Sequence, residues 1–217
     1  VMGAAGMTWI LLTANSRGGE GIGVWAWVIA LGVALVLGLV NGLIFTALKV
    51  PSFIVTLGMW YVGLGFATIL YGRDLFPRLT DPALTGWTSK LTLGLPNAFW
   101  VALLVIALGI AVVRYTRVGR VALAIGNSET IARSAGLPAF RVKVAVFAIA
   151  AVLSGLGGIL ATIQLDIGSP NVGSGLLFVV IPAVVIGGTT LGGGKGGILR
   201  TVLGVFLLTV LNNGLIL

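Results

Sequence analysis

The chain has 217 residues, of which 58% are hydrophobic and 8% charged, with a net charge of +8 and mean hydropathy +1.16; a soluble domain carries about a quarter charged residues. These figures describe an integral membrane protein of one bundle's size, and positives gathered at the edges of apolar runs give a nucleic-acid partner no support. With no cysteine and no histidine, disulfide frameworks, thiolate nucleophiles, imidazole bases and the common zinc sites are excluded, and no cofactor is called for.

A helix crosses the roughly 30 Å hydrocarbon layer with about 20 apolar residues. In chain order that rule picks out residues 1–13 (incomplete), 24–48, 52–71, 98–113, 144–165, a broken stretch over 172–186, and 198–217. The expectation is an all-α polytopic membrane bundle of six to seven segments forming a single domain over 1–217. Val1 follows no charged leader and LNNGLIL ends inside an apolar run, so both termini are expected to be cut from a longer protein. Pro51 separates the second and third segments, because the residue before a proline avoids helical geometry while proline suits a first helical turn. Pro182 and the glycines that follow it predict a half-length or kinked segment.

Charge sets the orientation. The interlude 114–143 holds Arg114, Arg117, Arg120, Arg133, Arg141 and Lys143 against one acid, Glu129, and loops rich in Lys and Arg stay in the cytoplasm. The 72–97 connection then lies outside, where Arg73, Arg78 and Lys90 are nearly balanced by Asp74 and Asp81. Lys49, Lys195 and Arg200 fall inside, and Arg17, Glu20 and Asp166 outside.

Within 144–165, Ala150, Ser154, Gly158 and Thr162 recur every four residues, a pattern that lets helices approach closely. The run GGTTLGGGKGG at 187–197 invites a phosphate-loop reading but fails its spacing: Thr189 stands where the first glycine belongs, and Gly196 replaces the magnesium-binding Ser or Thr. Gly192, Gly194 and Gly197 fit a dinucleotide pattern without its βαβ context, so the run reads as a turn that permits close packing. No span interior holds a charge, whereas proton-coupled transporters place ionisable groups there. Energy for uphill transport is therefore expected from another polypeptide. Asn41, Thr46, Thr56, Thr162, Thr209, Asn212 and Asn213 remain as intramembrane polar groups, suited either to a neutral hydroxylated cargo or to bonds between helices.

Inside the basic interlude, Asn127 or Ser128 offers an N-cap oxygen, Glu129 favours the positive helix end, and Gly136 with Pro138 is a stop signal. A helix of about two turns results, too short to stand alone in water. It is either a projection into a partner's groove or a helix lying on the lipid surface.

Several motifs in fixed order carry a resemblance: Asn41-Gly42, Val50-Pro51-Ser52-Phe53-Ile54-Val55-Thr56-Leu57-Gly58, Thr116-Arg117-Val118-Gly119-Arg120, and Ala124-Ile125-Gly126-Asn127-Ser128-Glu129-Thr130. Gly136-Leu137, Ser154-Gly155-Leu156-Gly157-Gly158, Val185-Ile186-Gly187-Gly188-Thr189, Gly192-Gly193 and Asn213-Gly214 follow. Together they resemble the ribose- and xylose-type sugar permeases of bacterial ABC importers, distant kin of branched-chain amino acid permeases. The resemblance implies a permease subunit, without its own ATPase motif, for a monosaccharide in the bacterial inner membrane. It also implies a cytoplasmic ABC ATPase, a second permease subunit and a periplasmic solute-binding protein as partners. Gly126, Asn127, Ser128, Glu129, Thr130, Ala132, Arg133 and Gly136 would form the segment that docks on the ATPase, with Ile131 and Ser134 departing from the family's usual alanine and leucine. Asn41, Phe53, Thr56 and Asn213 are the candidates for the translocation pathway. The alternatives are an ion-coupled secondary transporter, or an ABC permease for a nucleoside or a branched-chain amino acid.

Overall fold

The structure, a computed structural model, describes residues 1–18, 21–48, 50–72, 76–190, 193–194 and 196–216. The assignments made above for Glu20, Lys49, Arg73, Asp74, Gly192 and Lys195 lie outside that set. In chain order the helices are α1 (Met2–Leu12), α2 (Val24–Leu48), α3 (Ser52–Tyr71), α4 (Asn97–Tyr115), α5 (Arg117–Asn127), α6 (Glu129–Ser134), α7 (Ala139–Leu165), α8 (Leu176–Ile186) and α9 (Ile198–Ile216), with a short hairpin of β1 (Leu91–Thr92) and β2 (Leu95–Pro96) before α4. Helices α2, α3, α4 and α7 are long and apolar enough to cross a membrane; α1, α8 and α9 over Ile198–Gly214 are shorter apolar helices. The all-α membrane fold, with its short helix at Pro182, agrees with the sequence reading.

Chain contacts divide into two compact units. The first comprises Val1–Ala102 with Lys143–Gly173, the second Leu103–Val142 with Ser174–Leu217.

In the first unit the core forms where side chains are missing. A Cβ on Gly158 would strike the Met2 backbone, and one on Gly6 the Thr162 hydroxyl. On α2, a Cβ at Gly38 would meet Ala151, and one at Gly155 of α7 would lie 2.6 Å from the Ala34 Cβ. These absences let α1, α2 and α7 touch backbone to backbone, where dispersion and backbone contact replace the hydrophobic drive that lipid cannot supply. Trp9, Met7, Ile10, Ile159 and Ile163 fill the remaining volume, with Trp27 set edge-on to Trp9 at 5.5 Å. The contacting face of α7 runs through Ala151, Gly155, Gly158 and Thr162, whereas Ala150 is exposed; the small-residue stripe is correct at its last two positions and one residue off at its first two.

Helix α7 begins at Ala139, five residues before the predicted 144. Pro138 ends the preceding turn, and its carbonyl accepts from Val142 N–H at 3.2 Å. Arg141 and Lys143 join the first turns, and the Lys143 ammonium lies 5.2 Å from the Phe45 ring centre, where a cation–π contact offsets its approach to apolar surface. A similar device closes α3. Gly72 (φ +68) ends it, and the Arg17 guanidinium donates to the Tyr71 carbonyl at 2.8 Å, a cation placed at the negative helix end.

The 76–97 connection is more ordered than a plain loop. Leu79 N–H donates to the Asp166 carbonyl at 3.0 Å, Thr80 N–H to the Ala14 carbonyl at 3.1 Å, and Asp166 Oδ1 accepts from Gly86 N–H at 3.2 Å. Next comes the hairpin, Thr92 opposite Leu95 and Leu91 opposite Pro96. Its two-residue turn has φ +55 at Leu93 and +80 at Gly94, the primed geometry that twists with the strands. Left-handed geometry costs a leucine about 1–2 kcal/mol.

Candidate functional site

Helices α5 and α6 occupy the basic interlude. Helix α5 has no counterpart in the sequence reading, although its signal was present: Val118, Val121, Ala122 and Ile125 follow helical spacing, and Thr116 is an N-cap residue. The Thr116 hydroxyl accepts from Gly119 N–H at 3.2 Å and donates to the Val112 carbonyl at 2.6 Å. Gly119 sits in the bend, where a Cβ would lie 2.6 Å from the Val112 carbonyl oxygen. The apolar face of α5 packs on Ala132, Leu137, Ala139 and Val142, a small core that anchors α6.

The six residues of α6 are held at both ends. Ser128 Oγ accepts from Ile131 N–H, satisfying one of the orphan donors of the first turn. At the far end Gly136 has φ +73, its N–H donates to the Arg133 carbonyl, and Leu137 N–H donates to the Ala132 carbonyl, both at 3.0 Å. That pair of bonds is a Schellman stop, completed by the apolar contact of Leu137 with Ala132. Arg133 Nε and a terminal guanidinium nitrogen both donate to Glu129 Oε1, at 3.0 and 2.8 Å. With Glu129 one turn N-terminal to Arg133, the pair also agrees with the helix dipole.

The candidate docking residues are thus brought together: Gly126 and Asn127 at the end of α5, Ser128 at the cap, Glu129, Thr130, Ala132 and Arg133 on α6, and Gly136 at the stop. Ala132 alone is buried, as the helix's attachment. Ile131 is 71% exposed, an apolar knob directed away from the small core.

Gly126 also receives the glycine-rich turn. A Cβ there would lie 2.8 Å from Gly194 N, and one on Gly194 (φ +80) would lie 2.8 Å from Asn127 Oδ1. Only glycines allow this backbone-to-backbone seat. The turn is closed on itself, Thr190 Oγ1 donating to the Gly193 carbonyl at 2.7 Å while Gly193 N–H donates to the Thr190 carbonyl at 3.0 Å. Beyond it α8 and α9 pack through Gly187 and Gly204, whose Cβ atoms would strike the Arg200 and Ala183 carbonyls. Within the run that failed as a phosphate loop, Gly193 and Gly194 therefore seat on the end of α5, and Gly187 on α9. The signal was the glycine run itself; the partner, Gly126, could not be read from spacing.

Of the pathway candidates, Asn41, Phe53 and Thr56 belong to the first unit and Asn213 to the second. Phe53 and Thr56 are exposed near the start of α3, with Thr56 Oγ1 donating to the Phe53 carbonyl at 3.0 Å. Asn41 is buried on α2 between Gly38 and Gly42, both of which abut α7, and its Oδ1 has no hydrogen-bond partner among the described residues. Asn213 is exposed on α9 in the second unit.

A family model described as "Branched-chain amino acid transport system / permease component" matches residues 1–217. Among curated proteins, the probable ABC transporter permease protein YphD of Escherichia coli is 34% identical over 169 residues, covering 78% of this chain and 51% of that protein. The ribose import permease protein RbsC of Escherichia coli is 36% identical, covering 86% of this chain and 59% of that protein. The xylose/arabinose import permease protein XylH of Sulfolobus acidocaldarius is 36% identical, covering 86% and 51% respectively. This chain thus spans between half and three fifths of these relatives' lengths. No solved structure matches it.

Proposed function

Because the chain belongs to the branched-chain amino acid transport system permease family, we propose that it is the membrane-spanning permease subunit of an ATP-driven importer for a monosaccharide such as a pentose. It would sit in a bacterial inner membrane with the 114–143 interlude cytoplasmic. A separate ABC ATPase would hydrolyse the nucleotide, a second permease copy would complete the path, and a periplasmic binding protein would deliver the sugar.

The observation that carries this reading is α6: a six-residue helix capped at both ends, anchored by one buried alanine and presenting Ile131 outward. Isolated helices of that length melt in water, so the caps and the α5 contact are an investment in a fixed projection. A projection of this kind serves a groove on a partner. ATP-driven closure of the ATPase pair would displace α6, and the seat of Gly126 and Asn127 on Gly193 and Gly194 would hand that displacement to α8 and α9. Packed elements move as rigid bodies, which gives alternating access without a charge inside the membrane. Neutral side chains at Asn41, Phe53, Thr56 and Asn213 suit an uncharged sugar, and the named relatives import ribose, xylose and arabinose.

Co-purification with the ATPase tests the docking assignment. Reversing both charges of α6 (Glu129→Arg with Arg133→Glu) should weaken capture of the ATPase while membrane insertion is unchanged; undiminished capture would remove the docking role. Uptake of labelled D-ribose should require the ATPase. If it persists without the ATPase and collapses with the proton gradient, the protein is an ion-coupled transporter instead. The family's own description favours one second reading, a branched-chain amino acid as cargo, which leucine competing with uptake would establish.

A further inference from the structure

The hairpin before α4 has no part in the reading above, and its composition is unusual for a water-facing turn. Residues 91–100, LTLGLPNAFW, contain no charge. Leu93 at the tip is 87% exposed, the highest value for any large apolar side chain among the described residues, and Leu91 and Leu95 are 70% and 40% exposed. The tip leucine also occupies left-handed backbone, where asparagine or glycine is the favoured residue of a primed turn. Turn chemistry alone therefore does not account for a leucine there.

Register then narrows the occupant. Thr92 pairs with Leu95 and Leu91 with Pro96, so Leu91 and Leu95 project from opposite faces of the ribbon. A protein docked on either face would cover one leucine and leave the other, and the tip, in water. A lipid phase covers both faces and the tip together. The ribbon is also continuous with an apolar helix long enough to span a membrane. It enters α4 at Asn97, and none of the residues of α4 is buried. Trp100 Nε1 donates to the Thr92 carbonyl at 3.1 Å, Asn97 Nδ2 to the Trp87 carbonyl at 3.0 Å, and Asn97 N–H to the Lys90 carbonyl at 2.9 Å. These bonds fix the hairpin at the start of a span, among the aromatic residues that populate membrane boundaries.

We propose that the Leu91–Pro96 hairpin is an apolar wedge that inserts into the bilayer interface, with lipid as its occupant, and sets the depth at which α4 begins. Unpaired strand edges limit it to the headgroup and upper acyl region, since bare N–H and C=O groups are costly deeper in hydrocarbon. The wedge is independent of cargo and of the ATPase.

The chain contains no cysteine, so a nitroxide on Leu93→Cys reports the tip alone. In phosphatidylcholine–phosphatidylglycerol vesicles, collision with water-soluble nickel-EDDA should be several-fold lower at Leu93→Cys than at Ser134→Cys on exposed α6, while collision with oxygen is higher. Equal nickel accessibility would put the tip in water, and shielding from both reagents would mean a protein covers it; either result overturns the proposal. The depth claim is tested separately with Leu93→Asn, which suits the turn but removes the apolar tip. A label on Ala98→Cys should then become more accessible to nickel, and an unchanged label would show that the wedge does not position α4.

Discussion

The helix contact in the first unit and the capped loop in the second solve the same problem in opposite ways. Where α1, α2 and α7 meet, order comes from what the side chains omit: Gly6, Gly38, Gly155 and Gly158 each leave room for atoms of a neighbouring helix. In the α5–α6 segment it comes from what they add, namely the Thr116 and Ser128 oxygens, the Gly136 stop and the Glu129–Arg133 pair. A contact made of absences fails completely when filled. One made of caps loses its parts singly.

The largest expected effect follows from that contrast. Gly158→Ala puts a methyl into the Met2 backbone, which cannot yield as a flexible side chain can, so a loss of about 3 kcal/mol is expected, at the upper end for overpacking. Gly157→Ala is the matched control, its Cβ meeting only the Met2 Cε at 3.5 Å, and should leave stability within about 1 kcal/mol. Thermal unfolding of the detergent-solubilised protein measures both. If the two variants melted together, the backbone contact would not be holding the unit.

Next comes Ile131→Asp, aimed at the second region's outward face. With the side chain 71% exposed, stability should change by less than about 0.5 kcal/mol, while ATPase capture should fall about tenfold as an apolar anchor becomes a charge. A destabilised protein would instead place Ile131 in the small core with Ala132. Ser128→Ala should cost about 1 kcal/mol of helix stability, visible as faster hydrogen exchange at the Ile131 amide with exchange in α5 unchanged.

The same contrast explains what the sequence disclosed. The bounds of α2 and α3 were legible because hydropathy and Pro51 mark them directly, and the cap and stop of α6 because capping is local chemistry. Charges misled the start of α7, since Arg141 and Lys143 look like loop until Phe45 supplies a face for the lysine. Helix α5 was hidden because it is only 11 residues long and Arg117 and Arg120 interrupt its apolar run, and a search for spans discards such stretches. The hairpin was hidden because Leu93 is not a turn residue. Contacts made of absences were legible only in period: which glycine meets which backbone, and that Gly126 seats the 193–194 turn, depends on three-dimensional register. Asn41, Thr56 and Asn213 were legible only as neutral polar groups, and Phe53 only by its place after the Pro51 break, because what a side chain meets depends on three-dimensional register.

The smallest effect decides what holds α6. Arg133 and Glu129 lie 2.8 Å apart, with side chains 58% and 38% exposed, so water screens the pair and its contribution should be about 0.3–0.5 kcal/mol. Arg133→Gln should accordingly barely alter exchange at the α6 amides, and 1 M salt should erase the difference by shortening the screening length to about 3 Å. An effect larger than that of Ser128→Ala would invert the order of forces, making charge rather than capping the support of the helix. The double charge reversal would then unfold α6 as well as alter its surface. Weakened ATPase capture would therefore count as evidence for docking only after exchange at the Ile131 amide had shown that the helix remains formed.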